Sequence, residues 1–173
     1  GETISASIGQ GYNLVTPLQS ASMISTVANG GFLLKPYLIK KIEDSEGKVI
    51  QEFFPTVVRN VHMDPEILKH LKEGLRGVVH EPHGTGYRAR LKNIVVSGKT
   101  GTAQVVSMKS SEEVNPEDKI PYSFRDHAWF VAFAPYDKPE VAVSVIVEHG
   151  GHGGRVAAPI ARKILETYFT YYP

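Results

Sequence analysis

Cysteine is absent from the 173 residues. That excludes a thiol nucleophile, a disulfide framework and a cysteine zinc site. Long hydrophobic runs are also missing: stretches such as Trp129 to Pro135 fall well short of the roughly 20 residues that a membrane-crossing helix needs. Charge of one sign is lacking, since 19 Lys and Arg face 18 Asp and Glu for a formal net charge of +1. No basic stripe with interleaved aromatics stands out, so the sequence predicts no nucleic-acid partner. The glycines give no phosphate cradle. Gly9 and Gly11 follow no strand and do not extend to Gly-x-Gly-x-x-Gly, and Gly150 to Gly154 lack the Lys-Ser/Thr ending of a phosphate loop. No cofactor is expected. No internal repeat and no second domain boundary is evident.

What is present is ordinary globular material, 42% hydrophobic and 21% charged, long enough for one domain with a core. Ile8-Gly9-Gln10-Gly11-Tyr12 reads as a glycine-punctuated loop. Thr16-Pro17-Leu18-Gln19 predicts a helix start: Thr16 as N-cap, Pro17 at the first helical position, Gln19 closing a capping box. Leu18, Ala21, Met23, Ile24, Val27 and Ala28 give that helix an apolar face, and Asn29-Gly30-Gly31 ends it. Asp64-Pro65 predicts a second helix with Ile67, Leu68, Leu71, Leu75 and Val78 at core-like spacing, broken by His80 to Gly86. Ala157, Ile160, Ala161, Ile164, Leu165 and Tyr168 predict a third, at the C-terminus.

Phe32 to Glu43 and Lys48 to Phe54 read as a hairpin about Glu46-Gly47. Ile94 to Val106 reads as a strand. Ala128 to Ala134 and Val141 to Glu148 read as a second hairpin through Pro135 to Pro139. Met108 to Tyr122, polar and acidic, reads as a long mobile loop. The expected class is α+β, an antiparallel sheet flanked by helices.

The chemistry concentrates at Ser97-Gly98-Lys99-Thr100-Gly101-Thr102-Ala103-Gln104. A cation and two hydroxyls on one extended segment suit a free carboxylate, while Gly98 and Gly101 permit close backbone approach. Alternation along a strand sends Lys99 to the face opposite Thr100 and Thr102, although a groove at a sheet edge can still collect all three. Asp126-His127 is weak as an acid–base pair, because sequence neighbours on a strand point apart. Glu148, His149 and His152 on a glycine-rich loop are weak as metal ligands, and no metal is expected. Tyr168 and Phe169 are expected to pack on the sheet, and Tyr171 and Tyr172 to form a frayed tail or, as the alternative, to reach a partner or the membrane surface.

The ordered set Ile8-Gly9-Gln10-Gly11, Thr16-Pro17-Leu18-Gln19, Ala28-Asn29-Gly30-Gly31, Ser97 to Gln104, Arg125-Asp126-His127, Phe133-Ala134-Pro135 and Val141-Ala142-Val143 resembles the penicillin-binding transpeptidases of class B. The resemblance covers essentially the whole chain and implies the C-terminal portion of a penicillin-binding, serine β-lactamase-like transpeptidase fold over residues 1–173. It implies a peptidoglycan D,D-transpeptidase of cell-wall elongation acting through a serine acyl-enzyme. Lys99 then matches the signature lysine that stabilises charge, and Thr102 supplies an oxyanion-hole N–H. Thr100, Gly101 and Thr102 bind the carboxylate of substrate or β-lactam. Implied partners are peptidoglycan stem peptides, β-lactams and membrane proteins of the elongation machinery. The implied location is the periplasmic face of the bacterial inner membrane, through an N-terminal anchor absent from this chain. The chain is expected to lack the Ser-x-x-Lys and Ser-x-Asn segments, so that it is inactive by itself and its parent supplies the nucleophile. A D,D-carboxypeptidase or β-lactamase, a β-lactam-binding sensor and a non-catalytic scaffold are the alternatives. Arg125 to His127 are implied to close the long loop over the sheet edge.

Overall fold

The computed structural model describes residues 2–7, 9–10, 13–105 and 121–172. Helix α1 (Glu2–Ser7) covers a stretch for which the sequence predicts no element, and Ile8, Gly11 and Tyr12 of the predicted loop after it lie outside the described residues. Helix α2 (Pro17–Ala28) begins as its sequence dictates. Thr16 Oγ1 accepts from the Gln19 N–H at 3.2 Å, and Gln19 Oε1 accepts from the Thr16 N–H at 2.8 Å, so two otherwise unpaired donors are satisfied reciprocally. Gly30 and Gly31 follow at φ 93° and 103°, in the region that favours glycine.

Strands β1 (Phe32–Leu34), β2 (Lys41–Glu43), β3 (Val49–Glu52) and β4 (Val57–Asn60) come next. Phe32 to Glu43 is therefore two strands rather than one. β2 and β3 form the expected hairpin, while β1 pairs with β4, which the alternation had not revealed. Pro36 lies in the break between β1 and β2, where a residue without an N–H interrupts a ladder.

One sequence expectation fails by the letter. Ser45-Glu46-Gly47-Lys48 does have Ser-x-x-Lys spacing. It forms the exposed turn of the β2–β3 hairpin, where Asp44 Oδ1 accepts from the Glu46 and Lys48 N–H groups at 2.9 Å each. Serine and lysine share a face at that spacing only on a helix, so this turn does not form a nucleophile–base pair. Ser-x-Asn and Ser-x-Asp do not occur.

Helix α3 (Pro65–His80) is capped by Asp64, whose Oδ1 accepts from the Glu66 N–H at 2.8 Å. Val79 and Leu75 turn inward, whereas Ile67 is 65% and Leu71 41% exposed. The core-like spacing thus overstates how much of this helix is covered. A one-turn 3-10 helix (Tyr87–Ala89) leads to β5 (Ser97–Ala103), shorter than the predicted strand. Val105 is exposed beyond the end of β5. Most of the predicted Met108 to Tyr122 loop lies outside the described residues; Tyr122 itself begins a second 3-10 turn (Tyr122–Phe124).

β6 (His127–Ala134), β7 (Val141–Val147) and α4 (Gly153–Tyr171) follow among the described residues. β5, β6 and β7 form an antiparallel sheet with β6 at its centre. One face buries Ala128, Phe130, Ala132 and Ala134 against Ala157, Ala158, Ala161 and Leu165 of α4. The other buries Phe133 against Ile24 and Ala28 of α2. Antiparallel sheet and flanking helices agree with the predicted α+β class. Phe169 packs on the core, edge to face with Tyr168, and Tyr171 and Tyr172 are exposed. No helix of the described residues is long and apolar enough to cross a membrane.

Candidate active site

β5 is an edge strand, paired with β6 on one side only among the described residues. Its register sets Lys99 opposite Val131, Thr100 opposite Phe130, Gly101 opposite Trp129 and Thr102 opposite Ala128. Phe130 and Ala128 face α4, so the Thr100 and Thr102 side chains share the α4 face. Lys99 lies on the opposite, α2 face, as alternation requires. Its Nζ donates to the Thr100 carbonyl oxygen at 2.9 Å. The two threonines are therefore brought together, and the lysine stands across the strand from them.

The glycines set the spacing of strand and helix. A Cβ on Gly98 would lie 2.6 Å from the Val131 carbonyl oxygen and 2.8 Å from the Phe130 ring. A Cβ on Gly153 would lie 2.1 Å from the Trp129 and 2.5 Å from the Gly101 carbonyl oxygen. The first turn of α4 therefore rests directly on the backbone of β5 and β6. That turn carries N–H groups without an intrahelical acceptor and the positive end of a helix dipole. Its neighbours are the Thr100 and Thr102 hydroxyls. Thr85, Tyr87, Arg88, Thr100, Thr102 and the His152 to Arg155 segment enclose a cleft of about 370 Å³. Hydroxyls, guanidinium groups and a helix N-terminus on one cleft suit an anion.

The carbonyls of Thr100 and Thr102 are engaged by Lys99 Nζ and by Gln10 Nε2, the latter at 2.8 Å. Neither donor belongs to β6. Within a strand the N–H of a residue points to the same side as its C=O, which turns the Thr102 N–H toward the free edge. Gln10 belongs to the glycine-punctuated loop and to the motif set that carries the resemblance, but a contact across 92 positions leaves no local signal of this role. Thr85 was likewise read only as part of a helix break, yet its hydroxyl lies 2.9 Å from that of Thr100.

The weaker candidates resolve simply. Ser97 is fully buried, with no hydrogen-bond partner for its hydroxyl among the described residues. His127 Nδ1 accepts from the His149 N–H at 2.9 Å, His149 Nδ1 meets the Arg125 carbonyl oxygen at 3.0 Å, and the Gly151 N–H donates to the Asp126 carbonyl oxygen at 2.8 Å. These residues tie the start of β6 to the loop after β7. Among the described residues no group of three or more His, Asp and Glu side chains is placed to hold a metal.

Comparison with known proteins turns this geometry into a family assignment. The profile described as the penicillin binding protein transpeptidase domain matches residues 1–166. The chain belongs to that family. It is 40% identical over 171 residues to the peptidoglycan D,D-transpeptidase MrdA of Haemophilus influenzae, covering 97% of this chain and 26% of the relative. Among solved structures, Pseudomonas aeruginosa PBP2 in complex with WCK 5153 superposes with a TM-score of 0.72 at 34% identity, over 97% of this chain and 32% of that one. Penicillin-binding protein A of Mycobacterium tuberculosis, as a ceftriaxone acyl-enzyme complex, gives 0.74 at 31% identity, over 94% of this chain and 34% of that one. This transpeptidase-family chain thus spans about a quarter of the length of MrdA.

Proposed function

We propose that this chain forms the C-terminal portion of a serine D,D-transpeptidase domain, with the nucleophile carried by chain outside the sequence. The parent cross-links peptidoglycan stem peptides in cell-wall elongation. The observation that carries the reading is the gathering of the Thr100 and Thr102 hydroxyls with the first turn of α4 around one cleft. There they bind the terminal carboxylate of a stem peptide, or of the β-lactam that imitates it. Gly101 leaves room for the Trp129 side chain, 3.0 Å from where its Cβ would lie, and Gly153 lets α4 approach the Gly101 carbonyl oxygen. The Thr102 N–H at the free edge serves as an oxyanion donor, and such donors are worth most where negative charge develops. Lys99, held on the Thr100 carbonyl, places its charge beside the reacting centre from the other side of the strand. The parent works at the periplasmic face of the inner membrane, held by an anchor outside this chain, beside membrane proteins of the elongation machinery.

The test is acylation by a labelled penicillin, read by intact mass on the full-length gene product and on this chain. The expected result is stoichiometric labelling of the full-length product and none of this chain. Lys99→Ala in the full-length product slows acylation about a hundredfold, the scale of losing one electrostatic stabiliser in acyl transfer. An unlabelled, folded full-length product overturns the proposal. Release of D-alanine with cross-linking to an added acceptor amine separates a transpeptidase from a carboxypeptidase or a β-lactamase, and slow deacylation without cross-linking marks a sensor.

A further inference from the structure

We propose that Thr85 is a positioning residue for the carboxylate site, acting through the hydroxyl of Thr100; this rests on the reading of Thr100 as a carboxylate ligand. A threonine hydroxyl has one hydrogen to donate and two lone pairs with which to accept. If Thr100 gives its hydrogen to a bound carboxylate, the 2.9 Å contact with Thr85 Oγ1 leaves Thr100 as the acceptor there. Thr85 must then donate. The result is a directed chain, Thr85 O–H to Thr100 O–H to carboxylate, in which each bond polarises the next. In its absence the Thr100 hydroxyl is free to rotate away from the ligand.

The backbone around Thr85 is built to hold it there. The Gly86 N–H donates to the Val78 carbonyl oxygen at 2.9 Å, and the Gly84 N–H to that of Glu81 at 3.0 Å. A Cβ on Gly84 would lie 2.3 Å from the Val78 carbonyl oxygen, and one on Gly86 would lie 3.0 Å from the Phe130 ring. A Cβ on Gly154 would lie 2.2 Å from the Thr85 carbonyl oxygen. Three glycines thus press this loop onto the end of α3, onto the core and onto the first turn of α4. The pressed segment delivers one hydroxyl to the cleft.

The experiment compares second-order acylation of the full-length product by a penicillin and by its methyl ester, in which the carboxylate is blocked. Thr85→Val is expected to lower the acid-to-ester rate ratio about fivefold, the worth of one net hydrogen bond. Thr85→Ser restores the ratio, and Thr85→Val with Thr100→Val is no worse than Thr100→Val alone, because the effect passes through Thr100. Thr85→Val that slows acid and ester equally, leaves both unchanged, or adds its full factor to Thr100→Val overturns the proposal while the Thr100 reading stands. Thr100→Val with an unaltered acid-to-ester ratio overturns that reading, and this proposal with it. An unlabelled wild-type product overturns the proposed function as a whole.

Discussion

Gln10 Nε2 donates to the carbonyl oxygen of Thr102 at 2.8 Å, joining the glycine-rich segment after α1 to the candidate catalytic strand. The bond is partly buried and spans 92 positions. It engages the edge of β5 at the residue whose N–H is the proposed oxyanion donor. Gln10→Ala should leave the fold intact and slow β-lactam acylation of the full-length product about fivefold, in line with one lost hydrogen bond. Gln10→Glu should be slower still, since it removes the donor and sets a negative charge against a carbonyl oxygen and beside an anion site. Stopped-flow acylation rates check this, and equal rates for all three proteins would mean that the contact does not steady the strand.

Gly153 is the tightest point of the site. Its missing side chain lets α4 lie on the carbonyls of Trp129 and Gly101. Gly153→Ala places a methyl group 2.1 Å from backbone that no side-chain rotation can move aside. Helix and strand must separate, opening the cleft that holds Thr100 and Thr102. The expected cost is about 3 kcal/mol, the upper end for inserting a methylene into packed structure, measured by denaturant unfolding. β-lactam acylation should fall as well.

Gly74 offers the opposite case. It lies inside α3, and a Cβ there would meet nothing within 4 Å. Gly74→Ala should stabilise the protein by about 1 kcal/mol, the helix-propensity difference between the two residues. Acylation kinetics should not change. A lower unfolding midpoint would show that the exposed side of α3 is covered in the full-length protein.

Legibility in the sequence followed the range of the interactions. The start of α2 was readable because its capping box spans four adjacent residues, Thr16 to Gln19. The β6–β7 hairpin was readable from two apolar runs around Pro135 to Pro139. The β1–β4 pair was not, since Phe32 and Asn60 meet across a second hairpin. The face assignment of Lys99 against Thr100 and Thr102 followed from strand alternation alone. Gln10 and Thr85 reach β5 through tertiary contacts, so their side chains carried no sign of that use. Ser45 to Lys48 shows the converse: the letters fit Ser-x-x-Lys, and the turn they adopt does not allow its chemistry.

His80 couples the end of α3 to the residue before β5, and this coupling should respond to acid. Its Nε2 accepts from the Val96 N–H at 3.2 Å, which requires an unprotonated nitrogen. Burial holds its pKa below the usual 6.5, helped by the positive charges of Arg90 and Arg76. The unfolded chain therefore takes up a proton at a higher pH than the folded one does. The stabilisation is fully present above the ordinary histidine pKa and is lost as pH falls through the lower, folded value. Unfolding midpoints should decline below about pH 6.5. His80→Gln keeps an acceptor for Val96 and cannot titrate, so it should flatten this decline. A decline of the same steepness in His80→Gln would assign it to other groups and leave the α3–β5 junction insensitive to pH.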